Sequence, residues 1–248
     1  MDEIIQDIYR SFKKFIKNNN LPEIIPIYDV SYSKLDNVFS YVNPFPYKST
    51  KVEIHISPEL FEYKERFYKS ILFHEFTHIF DLSNTLKNYN ATEQNSLMST
   101  YSEYHASQIE LLCNLGYTSI PIYKKFYMSD KVVYQNEIES VEETLTRPLS
   151  DALAVLNKNQ DAFISLPDKD YNIKYVKTKK NIMYYLGKYN VCQKYATTKP
   201  FNFFDNFGEF KQDILNYYIL LNNKDFKNII KCDNVFRNNY FNYFKFSL

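Results

Sequence analysis

Residues 71–82 read Ile-Leu-Phe-His-Glu-Phe-Thr-His-Ile-Phe-Asp-Leu and contain the pattern His-Glu-x-x-His. An α-helix turns about 100° per residue, so His74 and His78 fall about 40° apart on one face, one turn from each other. Two imidazoles so placed can grip one Zn²⁺ at about 2.0–2.1 Å. Glu75 then projects beside the metal rather than onto it, where it can take a proton from a zinc-bound water. The chain has only 4 His, so the odds of meeting this pattern by chance are on the order of one in a few hundred. Phe76 and Thr77 are uncharged. Leu72, Phe76, Ile79 and Phe80 point away from the histidine edge, so one side of the helix enters a core and the other presents ligands. The bland alternative is a helix whose histidines are surface or capping residues.

Zinc needs a third protein ligand and one open position. The stretch Thr100-Tyr101-Ser102-Glu103-Tyr104-His105-Ala106-Ser107-Gln108-Ile109-Glu110 reads as a second helix. Glu103, Ser107 and Glu110 share one of its faces, while Tyr101, Tyr104, His105 and Leu112 lie toward the other. Glu103 is the favoured ligand, because the small Ala106 and Ser107 beside it would let the two helices approach closely. Glu110 is the alternative, about 10 Å further along at about 1.5 Å per residue. His105 ranks third and points nearly opposite to Glu103. Asp81 shares the His74/His78 face but lies too far along a straight helix to converge on the same ion. It reads as a carboxylate orienting His78, or as one at the helix end. His55 reads as an exposed strand histidine, with a place near a substrate as the alternative.

The elements that must position these residues follow from periodicity. Apolar residues at Ile4, Ile5, Ile8, Phe12, Phe15 and Ile16 predict a helix over 3–18. Glu23 to Val30 reads as a strand, and Ser31 to Thr50 as loop. Lys51 to Ser57 alternates, with Val52, Ile54 and Ile56 facing one way and Glu53 and His55 the other, which predicts a half-buried strand. Ser57-Pro58 reads as the start of a helix running through Leu82, with Ser57 as its cap. A polar linker follows over Ser83–Gln94, then a helix over about Ser96–Leu115 stopped by Gly116. A third strong helix is expected over 134–158, kinked by Pro148. After a loop containing Pro167, helical stretches are expected near 181–196, 207–222 and 225–245. No internal repeat is visible. The fold class is therefore α+β and predominantly helical, with a core over 1–160 and a helical C-terminal extension over 161–248.

Composition narrows the function classes. The 248 residues are 45% apolar and 24% charged, which is ordinary for a globular chain long enough to bury a core. The 24 Tyr and 21 Phe with no Trp read as a bias of AT-rich coding sequence, with aromatic-rich binding surfaces as the alternative. A net charge of +1 offers no field for nucleic acid, and the lysines of 177–180 read as a solvated run. Cys113, Cys192 and Cys232 are odd in number and widely spaced, against a disulfide framework or a cysteine zinc site. The N-terminus lacks the basic start and apolar stretch of a signal peptide, and no run has the length of a membrane span. The expected compartment is the cytoplasm.

His74-Glu75-Phe76-Thr77-His78 followed by a glutamate on the next helix resembles the zincin metallopeptidases and, within them, the glutamate-ligand gluzincins. The compact layout of strand, metal helix, short linker and second helix over residues 20–115 is similar to the small metallopeptidases of the ImmA/IrrE type. The resemblance implies a three- to five-stranded sheet with the metal helix packed behind it. It also implies an edge strand that holds an extended peptide, for which Lys51–Ser57 is the candidate. There are departures. Ser107 stands where thermolysin-like gluzincins carry an acidic residue, no helix-turn-helix is evident, and the C-terminal third matches nothing in the family.

The expected function is a zinc peptidase with one Zn²⁺ per chain held by His74, His78 and Glu103, Glu75 as general base and a peptide or protein as substrate. Tyr101, Tyr104 or His105 would donate to the developing oxyanion. The alternatives are a regulatory or binding protein that keeps the fold without peptidase activity, and a helical interaction protein whose histidines are incidental.

Overall fold

A computed structural model describes residues 2–22, 28–35, 39–43, 52–123, 125–156 and 168–245. The fold is α+β and predominantly helical. Helix α1 (Asp2–Asn18) buries Ile5, Ile8, Phe12, Phe15 and Ile16 on one face. That face packs on α2 (Glu65–Phe80), with the Phe12 ring 5.2 Å from Phe73 and the Tyr9 ring 4.9 Å from Phe76. Apolar area removed from water in this way is the main favourable term holding α2 in place.

The sheet has the order β1-β3-β2. Strand β1 (Tyr28–Tyr32) runs parallel to β3 (Val52–Ile56), and β2 (Ser40–Asn43) runs antiparallel to it. Two expectations are corrected here. The stretch read as loop over Ser31–Thr50 contains β2, whose Ser-Tyr-Val-Asn has no apolar alternation and which becomes a strand by pairing with β3. The strand expected at the edge, Lys51–Ser57, is the central one. Its backbone groups are committed to β1 and β2, so it cannot accept an added strand. The strand expected over Glu23–Val30 appears as Tyr28–Tyr32, and residues 23–27 lie outside the described residues.

The helix expected from Pro58 to Leu82 is divided. A 3₁₀ turn covers Pro58–Glu62, Tyr63 is extended, and only then does α2 begin. Ser57 makes no capping bond; its hydroxyl is buried without a partner among the described residues. Past Phe80 the chain widens into a π-helical turn, Asp81–Thr85. The expected linker over Ser83–Gln94 contains the start of α3 (Ala91–Leu97), opened by a capping box in which Asn90 and Glu93 exchange side-chain and backbone bonds. A second π turn, Met98–Ser102, leads into α4 (Glu103–Asn114), which ends before Gly116 at φ +84°.

The helix expected over 134–158 is shorter. A hairpin of β4 (Lys131–Tyr134) and β5 (Glu137–Ser140) precedes α5 (Val141–Leu156), which contains Pro148. Ile138 fits the helical spacing yet sits on β5, 63% exposed. Ser140 and Glu143 form a second reciprocal box, which starts the helix after the hairpin. Asn114 clamps this hairpin to α4, donating to the Val133 carbonyl at 2.7 Å and accepting from its amide at 2.8 Å.

The later helices are α6 (Asp168–Tyr195), α7 (Lys211–Asn223) and α8 (Phe226–Lys245). The loop expected around Pro167 lies outside the described residues. Helix α6 lies against both α4 and α5. At its crossing with α4, a Cβ on Gly187 would collide with the Ser107 hydroxyl and the Tyr104 carbonyl. The small Ser107 therefore accommodates α6. A polar knot fixes the C-terminal helices: Asp233 on α8 pairs with Lys179 at 3.0 Å and accepts from Ser96 and Tyr217, both at 2.8 Å. No helix among the described residues is long and apolar enough to cross a membrane.

Candidate metal centre

The site forms where α2, α4 and α6 meet. His74 and His78 are buried on α2, 2% and 6% exposed, and face the first turn of α4. One ligand atom each from His74, His78 and Glu103 lies within 4.8 Å of the others. Glu103 Oε2 is 3.2 Å from His74 Nε2 and 3.6 Å from His78 Nε2. Ligand atoms on a tetrahedral zinc are separated by about 3.3 Å at ordinary bond lengths. The donor set, two imidazole nitrogens and a carboxylate, also suits that ion.

The outer nitrogens settle how the rings are held. His74 Nδ1 donates to Glu110 Oε2 at 3.0 Å. His78 Nδ1 donates to Ser102 Oγ at 2.8 Å, and Ser102 donates onward to Asp81 Oδ2 at 2.8 Å. With each Nδ1 acting as a donor, Nε2 of each ring is the atom that faces Glu103, and it is the atom a metal would displace a proton from or bind directly. Asp81 and Ser102 both sit in π turns, one following α2 and the other leading into α4.

The predicted candidates are distributed as follows. Glu103 joins the trio. Glu110 meets the far nitrogen of His74, so it orients that ring. Asp81 reaches His78 through Ser102. Tyr101, Tyr104 and His105 are not brought together with the trio. Tyr101 packs against the Phe226 ring at 4.8 Å, Tyr104 donates to Asn222, and His105 donates to Asp81 Oδ1 at 2.9 Å. All three line a separate cavity behind α4, because the face of α4 that meets α2 carries Glu103 and Glu110 instead. His55 stacks on Tyr41 at 4.5 Å and bonds Ser31 at 2.6 Å on the sheet.

Glu75 is 6% exposed. Its Oε1 accepts from Ser40 on β2 at 3.0 Å, and its Oε2 is buried with no partner among the described residues. A buried, unpartnered carboxylate oxygen is costly unless something else occupies it.

The residues that sequence reasoning missed come from α6. Tyr184 Oη lies 3.3 Å from His74 Nε2. Lys180 Nζ is 3.3 Å from Glu103 Oε1, and Lys188 Nζ is 3.1 Å from Glu110 Oε1. Lys180, Tyr184 and Lys188 recur every fourth residue and so form one stripe. That spacing was the available signal, but nothing in the sequence directed the stripe toward the histidines.

Burial disfavours charge on His74, but the hydrogen bonds it donates to Glu103 and Glu110 outweigh it and raise the pKa from 6.5 to about 9. Burial pushes the Glu110 carboxyl upward, yet Lys188 and His74 bring it down to about 2. Glu103 is likewise held well below the usual carboxylate range against its burial, chiefly by Lys180 and His78. Burial first, and Glu103 second, push the Tyr184 phenol well above 10, so it is a neutral donor.

Comparison with protein-family models, with curated proteins and with solved structures found no match to this chain.

Proposed function

We propose that the protein is a zinc-dependent peptidase whose metal is held by His74, His78 and Glu103. The observation that carries this reading is the convergence of those three side chains, with Glu75, next to His74 on the helix, buried and its second oxygen without a partner among the described residues. Zinc at this position would supply a Lewis acid for the scissile carbonyl and lower the pKa of water toward ~7. Glu75 accepts the proton of the attacking water and hands it to the leaving amine. Ser40 holds the other Glu75 oxygen and so fixes the direction of the base. Tyr184, neutral and beside His74 Nε2, donates to the oxyanion. Lys188 and Glu110 keep His74 in its ligand tautomer, as Asp81 and Ser102 do for His78. The strand nearest the base is β2, which lies at the edge of the described sheet, so a peptide backbone would be held there.

The test is zinc content followed by cleavage. Zinc-loaded protein is incubated with a peptide library and new termini are read by mass spectrometry, beside Glu75→Gln. About one zinc per chain and new termini that vanish in Glu75→Gln support the proposal. No zinc, or termini that persist in the variant, would sink it.

The deep burial of both histidines favours a second reading, a metal site that holds the fold or senses zinc without catalysis. Closed sites of this kind are structural in other proteins. Stoichiometric zinc with no cleavage by the wild type selects it.

A further inference from the structure

We propose that the cavity on the far side of α4 from the metal trio is a binding site for a small organic carboxylate with an apolar body. The cavity measures about 380 Å³ and lies between α4, α6 and the end of α7. It shares no residue with His74, His78, Glu103 or Glu75, and the proposal does not depend on what those residues do.

The lining is electrically one-sided. Lys194 and Lys224 stand at its exposed rim, and neither has an ion-pair partner among the described residues. No aspartate or glutamate lines the cavity among the described residues. Burial and the nearby charge of Lys224 both lower the Lys194 pKa, as expected of two cations with no counter-charge between them. An anion between them would supply that counter-charge.

Below the rim the wall changes character. Gln108, Asn190 and Asn222 line this part as a chain of amides, Gln108 donating to Asn190 and Asn190 to Asn222, and Asn190 is only 2% exposed. Ile109, Leu112 and Leu221 are buried apolar residues of the same lining. A cationic mouth over polar amides and an apolar floor suits a ligand with a carboxylate at one end and a hydrocarbon body at the other. Inorganic phosphate would leave the apolar floor unused, and a neutral hydrocarbon would leave the lysines uncompensated. Lys224 has φ +53° at the end of α7, so this cation is held at the mouth by the turn that closes the helix.

The cavity also meets the metal cluster indirectly. His105 lines it, with Nδ1 bound to Asp81, the carboxylate that orients His78 through Ser102.

The experiment uses a panel of monocarboxylates with straight, branched and aromatic bodies, each beside its primary amide, titrated into the full chain by ligand-observed NMR. The proteins are wild type, Lys194→Gln/Lys224→Asn and His74→Ala. Both lysines are exposed, and asparagine tolerates the left-handed backbone at 224, so the double variant keeps the fold. The expected result is at least one carboxylate that binds tenfold or more tightly than its amide, weakens at least tenfold in the double variant, and still binds His74→Ala. The proposal is overturned if no carboxylate in the panel binds, if acid and amide bind alike, or if the double variant binds as wild type does. Loss of binding in His74→Ala alone also overturns it, since the carboxylate would then sit on the metal.

Discussion

Tyr184 and His74 meet across more than a hundred residues of chain: the phenol oxygen lies 3.3 Å from the Nε2 that faces Glu103. The contact exists because Gly187, one turn later on α6, lets that helix lie directly on α4 at Ser107 and the Tyr104 carbonyl. A side chain at 187 would push Tyr184 away from the histidine. The wall of the site therefore depends on a missing Cβ.

Gly187→Ala is expected to destabilise the protein by about 1–3 kcal/mol, the usual range for overpacking a close contact. Urea unfolding at fixed pH measures it. Under the metal reading the variant should also lose metal affinity, because α6 carries both Lys188, which holds Glu110, and Tyr184. A variant as stable as wild type would show that the helices can separate without strain.

Tyr184→Phe removes only the hydroxyl. Under the peptidase reading, kcat falls on the order of 100-fold with zinc content unchanged, the magnitude found for loss of one oxyanion donor. Kinetics and metal analysis on the same sample separate this from a binding defect. Unchanged kcat would return the search for that donor to other groups.

Under the zinc reading, His74→Ala and Glu103→Ala should each abolish stoichiometric zinc. Glu110→Gln and Ser102→Ala should keep the metal with affinity lowered about 10–100-fold, since each only orients a ligand ring. Titration against a competing chelator measures all four. Complete loss in Glu110→Gln, with retention in Glu103→Ala, would exchange the roles of the two glutamates.

The metal-free protein should have a distinct pH profile. His74 is raised from 6.5 to about 9, so its contribution to stability is fully present below pH 6.5 and is lost as pH rises through about 9. Glu110 is depressed from 4.5 to about 2, so its contribution is present above pH 4.5 and is lost as pH falls through about 2. Under the zinc reading, metal competes with the His74 proton, so apparent zinc affinity should climb as pH approaches about 9. Thermal unfolding across pH, with and without zinc, checks both limbs. Glu110→Gln should shrink both limbs, leaving the part of the acid limb that belongs to Glu103.

The trio's two histidines and the neighbouring Glu75 were legible from sequence because one local rule, the turn of an α-helix, fixes where positions 74, 75 and 78 lie relative to each other. Glu103 was legible for a similar reason, since α4 follows α2 closely in the chain. The helix boundaries were less so. Over 134–158 the spacing of Ile138 with Leu145 and Leu149 fitted a helix, but the Ser140–Glu143 box and the β4–β5 pairing start it later, at Val141. The strand β2 was hidden because its residues carry no pattern of their own. The central position of β3 was hidden as well, because alternation shows that a strand has two faces but not how many neighbours it has.

The sequence by itself therefore determined a helix bearing two imidazoles and a carboxylate, and a second helix bearing acids on one face. Only the tertiary structure decided that Glu110 orients His74, that Asp81 acts through Ser102, and that Tyr184, Lys180 and Lys188 close the site from α6. Helical periodicity operates over a few residues, whereas these contacts join positions whose separation along the chain carries no information about their distance in space. Packing against the aromatic core sets that distance, and the absence of a side chain at Gly187 completes it.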